Sequence, residues 1–81
     1  MSVLVKLSTT LRDCVPGYDP VAGMEVDISA HGELSAEGLA AVIGIPRAEM
    51  KIVMVNGRQS ALSTVVRDGD RVAYFPAVGG G

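Results

Sequence analysis

The group best suited to chemistry in this 81-residue sequence is its carboxyl end. From Asp68 the chain reads Asp-Gly-Asp-Arg-Val-Ala-Tyr-Phe-Pro-Ala-Val-Gly-Gly-Gly, finishing on Gly79, Gly80 and Gly81. A carboxylate is a poor electrophile at neutral pH, because its charge is delocalised and repels nucleophiles. Adenylation by ATP converts it to a mixed anhydride, from which a sulfur or nitrogen nucleophile displaces AMP; the protein is then the substrate of covalent catalysis. Glycines suit such an arm, since a backbone without Cβ atoms can enter a narrow channel of another protein. Fully extended, the six residues from Pro76 to Gly81 reach about 20 Å beyond the last strand. Ordered glycines lose much freedom and contribute no packing, so residues 77–81 are expected to be mobile, with the Gly81 carboxylate presented outward. The competing reading of the same residues is a frayed terminus or a glycine-rich addition.

No other group competes with that carboxylate. Asp68-Gly69-Asp70 is too short for a calcium loop and reads as a turn. The terminal glycines lack the downstream Lys, Ser or Thr and helix of a phosphate loop. His31 stands beside Gly32 in a connecting loop with no ligand partner nearby, and Cys14 has no neighbouring base or helix N-terminus to activate it. Glu25, Asp27, Glu33, Glu37 and Glu49 form no acid–base pair, and no Ser–His–Asp set can be assembled. The sequence therefore predicts no active site, no metal site and no bound cofactor, but a chain on which others act.

Composition narrows the setting. Hydrophobic residues make up 48% of the chain, with one Phe, two Tyr and no Trp, so a core of Val, Leu, Ile, Met and Ala is expected in one small globular domain. A net charge of −2 with scattered Lys and Arg argues against nucleic-acid binding. One cysteine allows no internal disulfide, and no apolar run is long enough to span a bilayer. A soluble, cytoplasmic protein with no membrane partner is expected.

The elements that must position the tail follow from periodicity. Val3 to Leu7 alternates as a strand, and Thr9 to Gly23 reads as a long, mobile loop with room for short helical turns. Met24 to Ile28 alternates again and pairs plausibly with the first strand. Ser35 to Ile43 carries helix signals: Ser35 as N-cap, Glu37 in the first turn, Leu34 and Leu39 as a staple, and Gly44 and Pro46 as stops. Leu39, Val42 and Ile43 are assigned to its inward face, and Gly38 to close packing against the sheet. Lys51 to Val55 reads as a buried strand closed by the Asn56-Gly57 turn. A short segment from Arg58 to Val66 follows, then the Asp68–Asp70 turn and a final strand from Arg71 to Phe75 that Pro76 stops. One helix against one mixed sheet is an α+β domain.

With those residues in order, the chain resembles the ubiquitin-like sulfur carriers, represented by the small subunit of molybdopterin synthase and the thiazole-forming sulfur carrier of thiamin biosynthesis. The likeness covers the whole chain. It rests on Val55-Asn56-Gly57, Asp68-Gly69-Asp70, Val72 and Tyr74-Phe75-Pro76-Ala77-Val78 ahead of the glycines. It implies a β-grasp domain over residues 1–76, with the first and last strands parallel at the centre of the sheet, and a flexible tail over residues 77–81. It further implies that an E1-like enzyme adenylates Gly81 with ATP, that a sulfur donor converts the adenylate to a thiocarboxylate, and that a synthase large subunit or thiazole synthase draws the sulfur. Gly80 and Gly81 match the family's terminal pair, and Phe75, Pro76, Ala77 and Val78 fall where the partner grips. Phe75 to Val78 is more similar to the molybdopterin branch, whose usual tail has a second proline where this chain has Ala77. Gly79 is one residue more than that pattern needs. Thiamin thiazole synthesis and protein modification are the alternatives.

Overall fold

The computed structural model describes residues 2–76. Strands β1 (Ser2–Leu7), β2 (Met24–Asp27), β3 (Leu34–Ser35), β4 (Met50–Val55), β5 (Arg58–Ser60), β6 (Val65–Val66) and β7 (Arg71–Pro76) surround one α-helix, α1 (Ala36–Ile43). Five strands form a mixed sheet in the order β2-β1-β7-β4-β5, and β3 and β6 make a two-residue side pair. β1 and β7 run parallel at the centre, with Val5 beside Val72 and Leu7 beside Tyr74; the other pairs in the large sheet are antiparallel. This is the expected β-grasp arrangement.

Alternation decides which side chains enter the core. Val3, Val5 and Leu7 from β1, Val53 from β4, and Val72 and Tyr74 from β7 are all buried with Ala36, Leu39 and Ala40 of α1. Each large side chain of this kind contributes about 1.5–3 kcal/mol when fully removed from water. Tyr74 brings a polar atom inside, and its hydroxyl donates to the Ala36 carbonyl at 2.6 Å, so the core carries no unmatched donor there. Burial alone pushes the Tyr74 hydroxyl pKa well above its usual 10.0.

The helix signals hold in detail. Ser35 Oγ accepts from the Gly38 backbone N–H at 3.0 Å, and Gly44 closes the helix at φ 97. The inward face differs from the expected one, however. Val42 is 43% exposed, while Ala36, Leu39 and Ala40 are buried and Ile43 packs beside them. At 100° per residue, positions 36, 39, 40 and 43 share a face that position 42 leaves. Gly38 does not meet the sheet either: a Cβ there would touch Leu34 Cδ2 at 3.2 Å and Ser35 Oγ at 3.4 Å, so the tight contact is with the helix's own start.

Two strand readings are also corrected. β4 is buried only at Met50 and Val53; Ile52 is 37% exposed, because the helix covers one side of the sheet only. Pro76 does not stop the last strand but ends it as a member, opposite Met50, where the β4–β7 register shifts between Met50 and Ile52. Proline lacks the N–H of a regular ladder and is accommodated at such an irregularity.

Within the long connection, a 3-10 helix over Thr9–Cys14 puts Leu11 fully into the core. The Asn56-Gly57 turn has both residues at positive φ, 53 and 81, as a two-residue hairpin with this twist requires. No helix among the described residues is long and apolar enough to cross a membrane.

Candidate functional site

The candidate site is the end of β7, the last described part of the chain before residues 77–81. Three interactions fix the strand's other end. The Asp68 carboxylate accepts from Ser2 N at 2.8 Å, Gly69 N donates to Ser2 O at 2.8 Å, and Leu4 N donates to Asp70 O at 3.0 Å. Asp70 is used twice more, accepting from Arg67 N at 2.8 Å and from the Asn56 side-chain amide at 3.0 Å. Asn56 Oδ1 in turn accepts from Arg71 N at 2.9 Å. The Asp-Gly-Asp segment is thus the expected turn, and it also ties β1, β4 and β7 together at their shared end. The length of β7 then carries the chain across the sheet, pinned inside by Val72 and Tyr74.

At the far end Phe75 and Pro76 are half-buried. Phe75 lies on the sheet face away from α1, opposite Ile52, because it alternates with Tyr74 and Val72. Along the same face run Leu4 and Lys6 of β1, Ala73 of β7, and Met54 of β4, which the register places across from Ala73. The result is an apolar strip of Leu4, Ala73, Phe75, Ile52 and Met54, with Lys6, Arg71 and Glu25 on the same face. Of the residues assigned to partner contact, Phe75 is therefore brought to this strip's end, while Pro76 follows it opposite the buried Met50. Ala77, Val78, Gly79, Gly80 and Gly81 lie outside the described residues.

The remaining candidates take ordinary positions. His31 is exposed in a 3-10 turn over Ser29–His31, and Cys14 is a half-buried free thiol packed against the core. No group of three or more His, Cys, Asp or Glu that could hold a metal occurs among the described residues.

Three residues of the neighbourhood had no signal in the sequence: Lys6, Arg12 and Tyr18 line a cleft of 220 Å³ beside Phe75. They stand some sixty residues ahead of it along the chain, and only the parallel pairing of β1 with β7 brings them there.

Known proteins agree with this architecture. The crystal structure of small archaeal modifier protein 1 from Haloferax volcanii superposes with a TM-score of 0.63 at 22% identity, covering 100% of both chains. A second crystal structure of that protein gives 0.62 at 19% identity, covering 95% of this chain and 98% of the other. At such identities the likeness is one of fold. No curated protein sequence matches the chain. The profile of a ubiquitin-like family, Mut7-C ubiquitin, spans residues 2–79, which is nearly every residue. The ubiquitin-like identification made from the tail, the Asn-Gly turn and the Asp-Gly-Asp turn thus stands, and the chain belongs to the Mut7-C ubiquitin family.

Proposed function

We propose that this protein is a sulfur carrier, acting as the substrate of its partners and not as a catalyst. The observation that supports this most is the placement of Phe75 on an open apolar face at the end of the central strand, followed by Pro76 and then Ala77-Val78-Gly79-Gly80-Gly81. With Gly81 as the last residue, its carboxylate attacks the α-phosphorus of ATP in the active site of an E1-like enzyme, and pyrophosphate leaves. A sulfur donor then attacks the acyl carbon and AMP leaves, giving a thiocarboxylate. A synthase takes the sulfur, and water restores the carboxylate oxygen. The domain supplies the grip, while the glycines supply reach. Molybdopterin synthesis is the favoured destination, because Phe75-Pro76-Ala77-Val78 is closest to that branch; thiamin thiazole synthesis is the alternative within the same chemistry.

A modifier that joins Gly81 to amines of other proteins is the second reading, favoured by the fold shared with small archaeal modifier protein 1. It uses the same adenylate with a nitrogen nucleophile. Intact-mass measurement of the chain after incubation with ATP, the activating enzyme and sulfide separates the two. A carrier gains about 16 Da as sulfur replaces one oxygen. An unchanged mass with an enzyme that does adenylate the chain, together with conjugates in cell extract that disappear when Gly81 is deleted, would favour the modifier.

A further inference from the structure

The cleft beside Phe75 is built from side chains with hydrogen-bond donors to spare. Its walls are Lys6, Leu7, Ser8, Arg12, Tyr18 and Pro20 on one side and Ala73, Tyr74 and Phe75 on the other. The origin of its polar lining lies in β1. Pairing with β2 ends at Val5, so the Leu7 backbone, which faces the same edge, has no strand partner there. Two side chains replace it: Tyr18 Oη accepts from Leu7 N at 2.7 Å, and Arg12 Nε donates to Leu7 O at 3.0 Å. Both polar heads are thereby held at a fixed place.

That arrangement leaves donors unused. Arg12 retains the N–H groups of its two terminal nitrogens, and Tyr18 retains its hydroxyl hydrogen, which has no acceptor among the described residues. Lys6 Nζ gives one hydrogen to Val21 O at 2.7 Å and keeps two. Neither Lys6 nor Arg12 is in an ion pair among the described residues. No carboxylate among the described residues lines the cleft. Asp13 and Asp19 are outside the lining; the Asp19 carboxylate accepts from Val21 N and Ala22 N at 2.8 and 3.1 Å and feels the Lys6 charge only as a minor influence after those bonds. A cleft with two cations, a hydroxyl donor and an aromatic wall, and with no carboxylate among its described lining residues, is complementary to a carboxylate carried on an apolar segment.

From this geometry we infer that the cleft receives an aspartate or glutamate side chain from the protein that grips the tail, seated between Arg12, Lys6 and Tyr18 with its flanking apolar residues on Phe75. The inference rests on the proposed function in one respect, that a partner holds the root of the tail. The adenylate forms on Gly81, five residues after Pro76, and is proposed to sit in the activating enzyme and not in this cleft. The carboxylate therefore sets the register of docking, and the chemistry takes place elsewhere.

The direct test is an NMR titration of the isotopically labelled full chain with an acetylated, amidated tetrapeptide of leucine, aspartate, glutamate and leucine. Its neutral counterpart, with asparagine and glutamine, is the control. The expected result is saturable shifts at the amides of Leu7, Ser8, Arg12 and Phe75 with the acidic peptide. Affinity should fall about tenfold for the neutral peptide, as for loss of a charge-assisted hydrogen bond, and similarly for Arg12→Gln. Lys6→Gln, which leaves the Leu7 contacts alone, should show a smaller loss in the same direction. Equal response to both peptides, shifts confined to other residues, or no saturable response would overturn the inference. Tighter saturation by inorganic phosphate than by the acidic peptide would overturn it too, by making the cleft a phosphate site.

A second measurement separates the inference from the function it builds on. In ATP–pyrophosphate exchange by the activating enzyme, Arg12→Glu should raise the KM for the chain about tenfold and leave kcat unchanged. Exchange with unchanged KM overturns the cleft's role while the carrier reading stands. Absence of exchange with the wild-type chain overturns the carrier reading, and the peptide titration then decides the cleft alone.

Discussion

The two faces of the five-stranded sheet are made by alternate residues of the same strands, yet they do different work. In β7, Val72 and Tyr74 are fully buried beneath α1, whereas Ala73 and Phe75 between and after them stay half-open on the other side. In β4, Val53 is buried and its neighbour Ile52 is 37% exposed. In β1, Val5 is buried between Leu4 and Lys6, which are not. The helix side accounts for the stability of a domain too small to have much to spare. The open side keeps apolar groups in water that the fold does not need, which is expected of a surface that another protein covers.

Substitutions one residue apart in β7 therefore break the molecule in different ways. Tyr74→Ala has the largest expected effect: it removes a fully buried ring and should cost about 3–5 kcal/mol, measured as a lowered denaturant midpoint, with the domain unfolded at modest urea. A loss below about 1 kcal/mol would mean that Tyr74 is not the anchor of the covered face.

Tyr74→Phe keeps the ring and removes the bond to Ala36, which should cost about 1 kcal/mol near neutral pH. Its pH dependence sharpens the contrast. Burial raises the folded-state pKa of Tyr74, so its contribution is complete below the unfolded pKa of about 10 and declines as pH rises beyond it, where the unfolded chain releases a proton that the folded chain retains. Urea midpoints measured at increasing pH above about 10 should fall more steeply for the wild type than for Tyr74→Phe. Parallel curves would contradict the assignment.

Phe75→Glu should have the smallest effect on stability, about 0.5 kcal/mol, because the side chain lies on the uncovered face. Its effect should appear instead in affinity for the activating enzyme, weakened about tenfold or more in a calorimetric titration. Unaltered affinity together with a large loss of stability would reverse the roles given to the two faces.

Much of this contrast was legible beforehand, because it is local. Alternation in Val3–Leu7 and Arg71–Phe75, the cap at Ser35, the αL stop at Gly44 and the Asn56-Gly57 turn each arise from neighbours within a few residues, and each is found in place. Readings that needed a second element fared worse. Val42 was assigned inward and Ile52 buried because apolarity alone does not say which sides of a helix or strand are covered. Pro76 was read as a stop because the register irregularity that accommodates it belongs to β4.

By itself, then, the sequence determined the kinds of element, their caps and turns, the residue types of the core, and the candidate reactive end at Gly81. Those depend on backbone preferences and periodicity over short spans. The parallel β1–β7 pairing was expected only through the family resemblance; tertiary structure alone decided the non-local contacts: Asp68 joined to Ser2, Ile52 set opposite Phe75 by the β4–β7 register, and the spare donors of Arg12, Lys6 and Tyr18 gathered beside Phe75. For Arg12 and Tyr18 the physical reason is the free β1 edge beyond Val5. Its unpaired Leu7 backbone draws Arg12 and Tyr18 into place, and no spacing along the chain records that need.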